Sequence, residues 1–146
     1  MQPIDLLLAH AAATWALVGL IWMVQIVQYP GFAHVGATEF ANFHEQHLSR
    51  ITWIVAFLMG AELLTGLALL LDRPAGVSTA SLWFGMGLIG VNWACTAFVS
   101  VPLHARLTKL DRTAQSALVR TNWLRTIAWT LRGAWILFAL RAALAA

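Results

Sequence analysis

Charge is what this sequence has least of: Asp, Glu, Lys and Arg together make up 10% of its 146 residues. A soluble globular domain carries about 25%, so a water-borne domain of this length is the wrong class. Cysteine occurs once, as Cys95 within an apolar stretch. An intrachain disulfide is therefore excluded, and Cys95 reads as a small apolar packing residue. No phosphate-binding loop and no nucleophile with a neighbouring base appears, so hydrolase and nucleotide-dependent chemistry lack support. No Lys or Arg precedes the apolar residues 6–13, whereas Asp5 does, and this segment reads as a retained first helix rather than a secretory signal. Internal repeats and low-complexity linkers are absent too. The formal charge of +3 does not point to nucleic acid, because most basic residues sit beside or inside apolar segments, where they serve topology and packing.

What the sequence has in abundance is apolar surface, with 60% hydrophobic residues and a mean hydropathy of +0.74. Each bilayer crossing takes ~20 residues, so four spans use up more than half the chain and leave no room for a separate soluble domain. The expected architecture is all-α: one transmembrane domain, a four-helix bundle whose partner is the lipid bilayer. The first span covers about residues 4–28 and ends at Tyr29-Pro30-Gly31. The second covers about 51–71, preceded by an interfacial helical extension with Thr38 as its N-cap. The third covers about 79–101, stopped by Pro102, and the fourth about 123–144. A short turn at 72–76 and a polar stretch from His104 to Asn122 make the remaining connections. Trp53, Trp83 and Trp123 fall near span starts, as an aromatic belt requires.

Four spans place both termini on one side. Arg50, Arg106, Lys109, Arg112 and Arg120 lie towards the first and third loops, and only Arg73 and Arg141 towards the other side. The positive-inside rule then puts loops 1 and 3 in the cytoplasm and both termini outside a bacterial inner membrane. The basic run itself serves topology and lipid-headgroup contact.

Intramembrane polar residues share helix faces, as they must if they point into the bundle. His10, Thr14, Gln25 and Gln28 fall within about 60° on the first span, and Arg125 and Arg132 lie seven apart on the fourth. Glu62 is flanked by Thr65 and Gly66 on the second span, and Asn92 by Thr96 on the third. Counted at ~1.5 Å per residue, Glu62, Arg132 and Asn92 lie about 17, 14 and 14 Å from the loop 1 and 3 side. A charge at that depth needs a partner at its own level. The expectation is a Glu62–Arg132 ion pair with Asn92 as a hydrogen-bonding neighbour, either a functional centre or a clasp that fixes helix register.

Histidines form a second constellation, with His44 and His47 on one helix face and His104 at the start of the third loop. They are candidate metal ligands at the cytoplasmic face, with interfacial hydrogen bonding as the plainer reading. No cofactor is required by the sequence. A haem held by two histidines is disfavoured, because His10 lies at the other end. Phe40, Phe43, His44 and His47 make an amphipathic stretch that could cross the mouth of the bundle.

The segments Trp22-Met23-Val24-Gln25-Ile26-Val27-Gln28-Tyr29-Pro30, Phe43-His44-Glu45-Gln46-His47-Leu48-Ser49-Arg50 and Arg120-Thr121-Asn122-Trp123-Leu124-Arg125-Thr126 resemble a group of uncharacterised small bacterial four-helix membrane proteins. More distantly, a proline closing the first span, a polar loop and Asn-x-x-Arg leading into the last resemble the anthrone-oxygenase-like membrane family. That resemblance implies a four-helix fold and oxidation of aromatic polyketides without an obvious bound cofactor. Two function classes follow. In one, an apolar small molecule, aromatic or quinone-like, sits in a pocket whose mouth is formed by Gln25, Gln28, Tyr29, His44, His47, Asn122 and Arg125, with Glu62 and Arg132 at its floor. In the other, the chain is a non-catalytic subunit or scaffold, a homo-oligomer or a partner of another membrane protein, packing through Gly85, Gly87 and Gly90.

Overall fold

A computed structural model describes residues 2–146 as four long helices joined by short loops. They are α1 (Pro3–His34), α2 (Phe40–Leu71), α3 (Thr79–Thr108) and α4 (Thr113–Leu144), each long and apolar enough to cross a membrane. The chain is an all-α, multi-pass membrane protein. Around the bundle, α1 packs on α2 and α4, and α3 packs on the same two helices, so α1 faces α3 and α2 faces α4 across the diagonals. Trp53, Phe57, Leu64 and Leu71 stand exposed along the outside of α2, where lipid is their solvent.

The helices run further than the sequence patterns suggest. Neither Pro30 nor Pro102 ends its helix: α1 continues to His34 and α3 to Thr108. Both prolines follow a π-turn. The Tyr29 N–H reaches the Val24 carbonyl and the Val101 N–H the Thr96 carbonyl, five residues back in each case. A proline in a regular α-helix has no N–H to give and collides with the carbonyl four residues earlier. One surplus residue in the preceding turn changes that register, and the helix passes through. The fourth helix likewise starts at Thr113, with Ala114 and Leu118 buried on its inner face. Residues 104–122 are therefore mostly helix, and the loop shrinks to 109–112. The extension before the second span is helical and continuous with it, but it begins at Phe40 after Glu39 rather than with a Thr38 cap. Phe40 and His44 turn inward, so this stretch is a wall of the bundle and does not lie across its mouth.

Loop 3 closes α3 tightly: Leu110 takes a left-handed φ of 63°, and the Asp111 N–H reaches back to the Arg106 carbonyl at 3.1 Å. Two apolar clusters fill the bundle. One holds Leu17, Ile21, Phe32, Met59, Leu107 and Trp129 towards loops 1 and 3. The other holds Leu7, Leu69, Leu82 and Ile136 towards loop 2 and the termini. A polar layer lies between them.

Candidate functional site

The polar layer is built from all four helices. Arg132 Nε donates to Glu62 Oε1 at 2.8 Å, with both side chains essentially sealed from solvent. Thr14 donates to the same oxygen at 3.0 Å and Trp129 Nε1 to Oε2 at 3.1 Å. The guanidinium also donates to the Gly85 carbonyl and, through Nη2, to His10 Nε2 at 2.6 Å. Arginine has no acceptor, so His10 carries its proton on Nδ1 and passes it to Thr65 Oγ1 at 2.7 Å. Thr65 in turn donates to the Ala61 carbonyl. The carboxylate and the guanidinium are thus both paired and hydrogen bonded, which is what a buried ion pair needs to offset its desolvation.

Asn92 is fully buried but bonds to neither charge, and its side-chain atoms find no partner. Sharing a depth with the pair does not give it a shared direction. Gly85 faces inward against the Trp135 ring, while Gly87 and Gly90 have open space beside them. The three glycines therefore do not form one packing face.

A cavity of ≈ 650 Å³ opens between the helices on the loop 1 and 3 side. Leucine, isoleucine, valine and alanine side chains with Met59, Trp93 and Trp129 make most of its wall. Of the residues expected at its mouth, Tyr29, His47 and Arg125 line it. The others are placed elsewhere. Gln25 and Asn122 form a clasp between α1 and α4, with Asn122 Nδ2 donating to Gln25 Oε1 at 2.9 Å and Gln25 Nε2 to the Val119 carbonyl at 3.1 Å. Gln28 lines a separate shallow groove beside His47. The π-turn explains this, because its extra residue rotates the inner stripe by one position and puts Tyr29, not Gln28, inside. Glu62 and Arg132 are not the floor either. Trp129 stands between, facing the cavity and holding Glu62 through its ring nitrogen.

His44 sits behind the cavity wall, in a chain of hydrogen bonds that starts at the cavity. Tyr29 Oη is 3.0 Å from His104 Nε2, His104 Nδ1 is 3.0 Å from His44 Nε2, and His44 Nδ1 is 3.5 Å from Thr108 Oγ1. The Thr108 hydroxyl proton is already given to the His104 carbonyl at 3.0 Å, so its oxygen accepts from His44. The remaining directions follow in turn: His44 donates from Nδ1, His104 donates from Nδ1 to His44, and Tyr29 donates to His104. Both imidazoles are neutral, and every proton points from the cavity towards loop 3. Phe32 packs edge-on to His44, His47 and His104 and fixes their planes. His44 and His104 spend ring nitrogens on each other. Among the described residues, no three His, Cys, Asp or Glu side chains are arranged to hold a metal ion; His44 and His104 are hydrogen bonded to each other, and His47 only packs beside the His104 ring.

Two polar atoms near the cavity have no partner: His47 Nε2 and Arg125 Nε. Arg125 lies over the Trp129 ring at 5.1 Å, a cation–π contact. Sequence reasoning missed Trp129, Thr14 and His10 as members of the ion-pair layer and Ser100 as a partner of Arg125. His10 is legible by face, but its place towards the other end of the first span sets it apart from the other polar residues; the long Arg132 side chain reaches it. No known protein family, curated protein or solved structure matches this chain.

Proposed function

We propose that this protein binds an apolar small molecule, aromatic or quinone-like, in the cavity on the loop 1 and 3 side, and exchanges a proton with it through Tyr29. The observation that carries this reading is the meeting of an apolar cavity with an oriented hydrogen-bond chain. A purely structural histidine cluster has no need to end on a cavity-lining hydroxyl.

The step balances without any further reactant. A weakly acidic ligand O–H gives its proton to Tyr29 Oη as the Tyr29 proton moves to His104 Nε2. The His104 Nδ1 proton moves to His44 Nε2, the His44 Nδ1 proton moves to Thr108 Oγ1, and the exposed Thr108 hydroxyl turns from the His104 carbonyl to give its own proton to solvent water at loop 3. Reversal along the same atoms resets the chain when the ligand departs. Imidazoles suit this task because a neutral ring accepts a proton on one nitrogen as it gives one up from the other. The layout's resemblance to the anthrone-oxygenase-like family points to the same ligand class. The basic bias supports loops 1 and 3 facing the cytoplasm of a bacterial inner membrane, which would deliver the proton there.

The test is native mass spectrometry of the protein released from nanodiscs, with Val55→Trp as the variant that fills the cavity from its wall. A bound small molecule present in the native protein and lost from the variant is the expected result. An empty native protein that co-purifies with another membrane chain would favour the scaffold reading instead.

A further inference from the structure

The cavity wall carries charge of one sign. Arg125 and Lys109 line it together with His47 and His104, and no Asp or Glu does. Arg125 is only 5% exposed, yet its Nη1 donates to neutral acceptors alone, Ser100 Oγ at 3.2 Å and Asn122 Oδ1 at 3.3 Å. Its Nε is buried and has no partner. The ion pairs among the described residues are Arg132–Glu62 and Arg106–Asp111, so neither Arg125 nor Lys109 has a carboxylate of its own. Both oxygens of Glu62 are taken up in the polar layer, and the Tyr29 proton is committed to His104.

A guanidinium does not discharge itself by losing its proton. Buried in an apolar setting without a counter-ion, it carries a desolvation cost that the hydroxyl and carboxamide offset only in part. Charge complementarity therefore identifies the missing partner. We infer that the cavity takes an apolar organic anion, a hydrophobic acid whose ionised oxygen group pairs with Arg125 while its apolar body lies along the leucine and valine wall. Lys109, exposed at the rim, draws the anion in. This inference rests on the cavity being a ligand site, and it adds the charge of the ligand. It also gives the proton chain its direction, because an acid arriving from lipid in its neutral form must shed one proton before it can pair with Arg125.

The test compares pyrenebutyric acid with its methyl ester, equal in apolar body and different in charge. Each is titrated into the protein in phosphatidylcholine nanodiscs, with pyrene emission sensitised by Trp93 and Trp129 read in excess of empty discs. The acid is expected to bind about tenfold more tightly, the scale of one charge-assisted hydrogen bond. Arg125→Gln should bring the two within about twofold of each other, and Arg125→Lys, which keeps the charge and guards against a folding artefact, should retain the preference. Equal binding of acid and ester to the native protein would overturn the anion inference and leave the ligand site standing. Binding of neither above empty discs would overturn both. Introducing phosphatidylglycerol separates two sources of the same anionic chemistry: competition with the acid identifies a lipid headgroup, and undisturbed binding a free acid.

Discussion

Arg125 and Arg132 stand seven residues apart on the inner face of α4, and only Arg132 has a carboxylate. Two turns of helix separate a guanidinium with an acid, a histidine and a backbone carbonyl around it from one held by a hydroxyl and a carboxamide. The first arrangement is closed. The second is open on the side of the cavity, and that difference divides the bundle into a closed half and a half that faces the cavity.

The closed half predicts an asymmetric mutational response. Glu62→Gln or Arg132→Met alone strands a buried charge or its donors and should cost about 3–5 kcal/mol. The double variant Glu62→Leu with Arg132→Met removes both charges and should recover much of that loss. Reversible unfolding in mixed micelles measures all three; a double variant no better than the singles would refute the pairing.

Glycines in α3 offer a second contrast. A Cβ at Gly85 would come within 2.9 Å of the Trp135 ring, whereas one at Gly87 would meet nothing within 4 Å. Gly85→Ala should therefore lower stability by about 1–3 kcal/mol, and Gly87→Ala should raise it slightly through helix propensity. Thermal melting of the two variants side by side is sufficient.

Removing one hydroxyl should silence the proton chain without emptying the cavity. For 1-naphthol, a ligand whose ionised form absorbs at longer wavelength, stopped-flow mixing reports ionisation directly. Tyr29→Phe should slow the appearance of the ionised band by about a hundredfold while the final amplitude, set by Arg125, stays close to native. An unchanged rate would mean that protons bypass Tyr29.

Much of this was legible in the residues, and the gaps have identifiable causes. Apolar length gave four helices, and face and depth together brought Glu62 to Arg132. Helix ends were misread wherever proline was treated as a stop, because the rule assumes an α-helical register and a π-turn alters it. The same turns misplaced Gln28. Depth alone misjudged Asn92, since two side chains at one level can still point in different directions. Periodicity carries no trace of Trp129 as a wall between two sites, because an indole on an inner face looks like any other core residue.

Loop 3 supplies two further tests. Leu110 is more than half exposed and holds a left-handed backbone, a conformation that costs a side-chain-bearing residue about 1–2 kcal/mol. Leu110→Gly should relieve roughly that amount, seen as a raised melting temperature, because little burial is lost with the side chain.

Asp111 accepts hydrogen bonds from Thr113 and an ion pair from Arg106, which hold its carboxyl below the usual carboxylate range. A lowered folded-state value means that the contribution is present at neutral pH and lost as the pH falls through it. The protection factor of the Thr113 amide, which donates to Asp111 at 3.1 Å, should therefore drop on acidification. In Asp111→Asn it should be lower at neutral pH and flat.

The two π-turns make helix register near Pro30 and Pro102 a determinant of which side chains face the bundle interior. Each holds one amino acid more than a regular helix would use over the same rise, and everything downstream is turned by about 100° as a result. Straightening the turn to α-helical hydrogen bonding without removing a residue would swing the phenol of Tyr29 towards lipid and bring the Gln28 carboxamide inward, whereas deleting one residue between Val24 and Gln28 would remove the π-turn and leave the phenol facing in. In this bundle the register of a greasy segment decides which side chain meets the cavity.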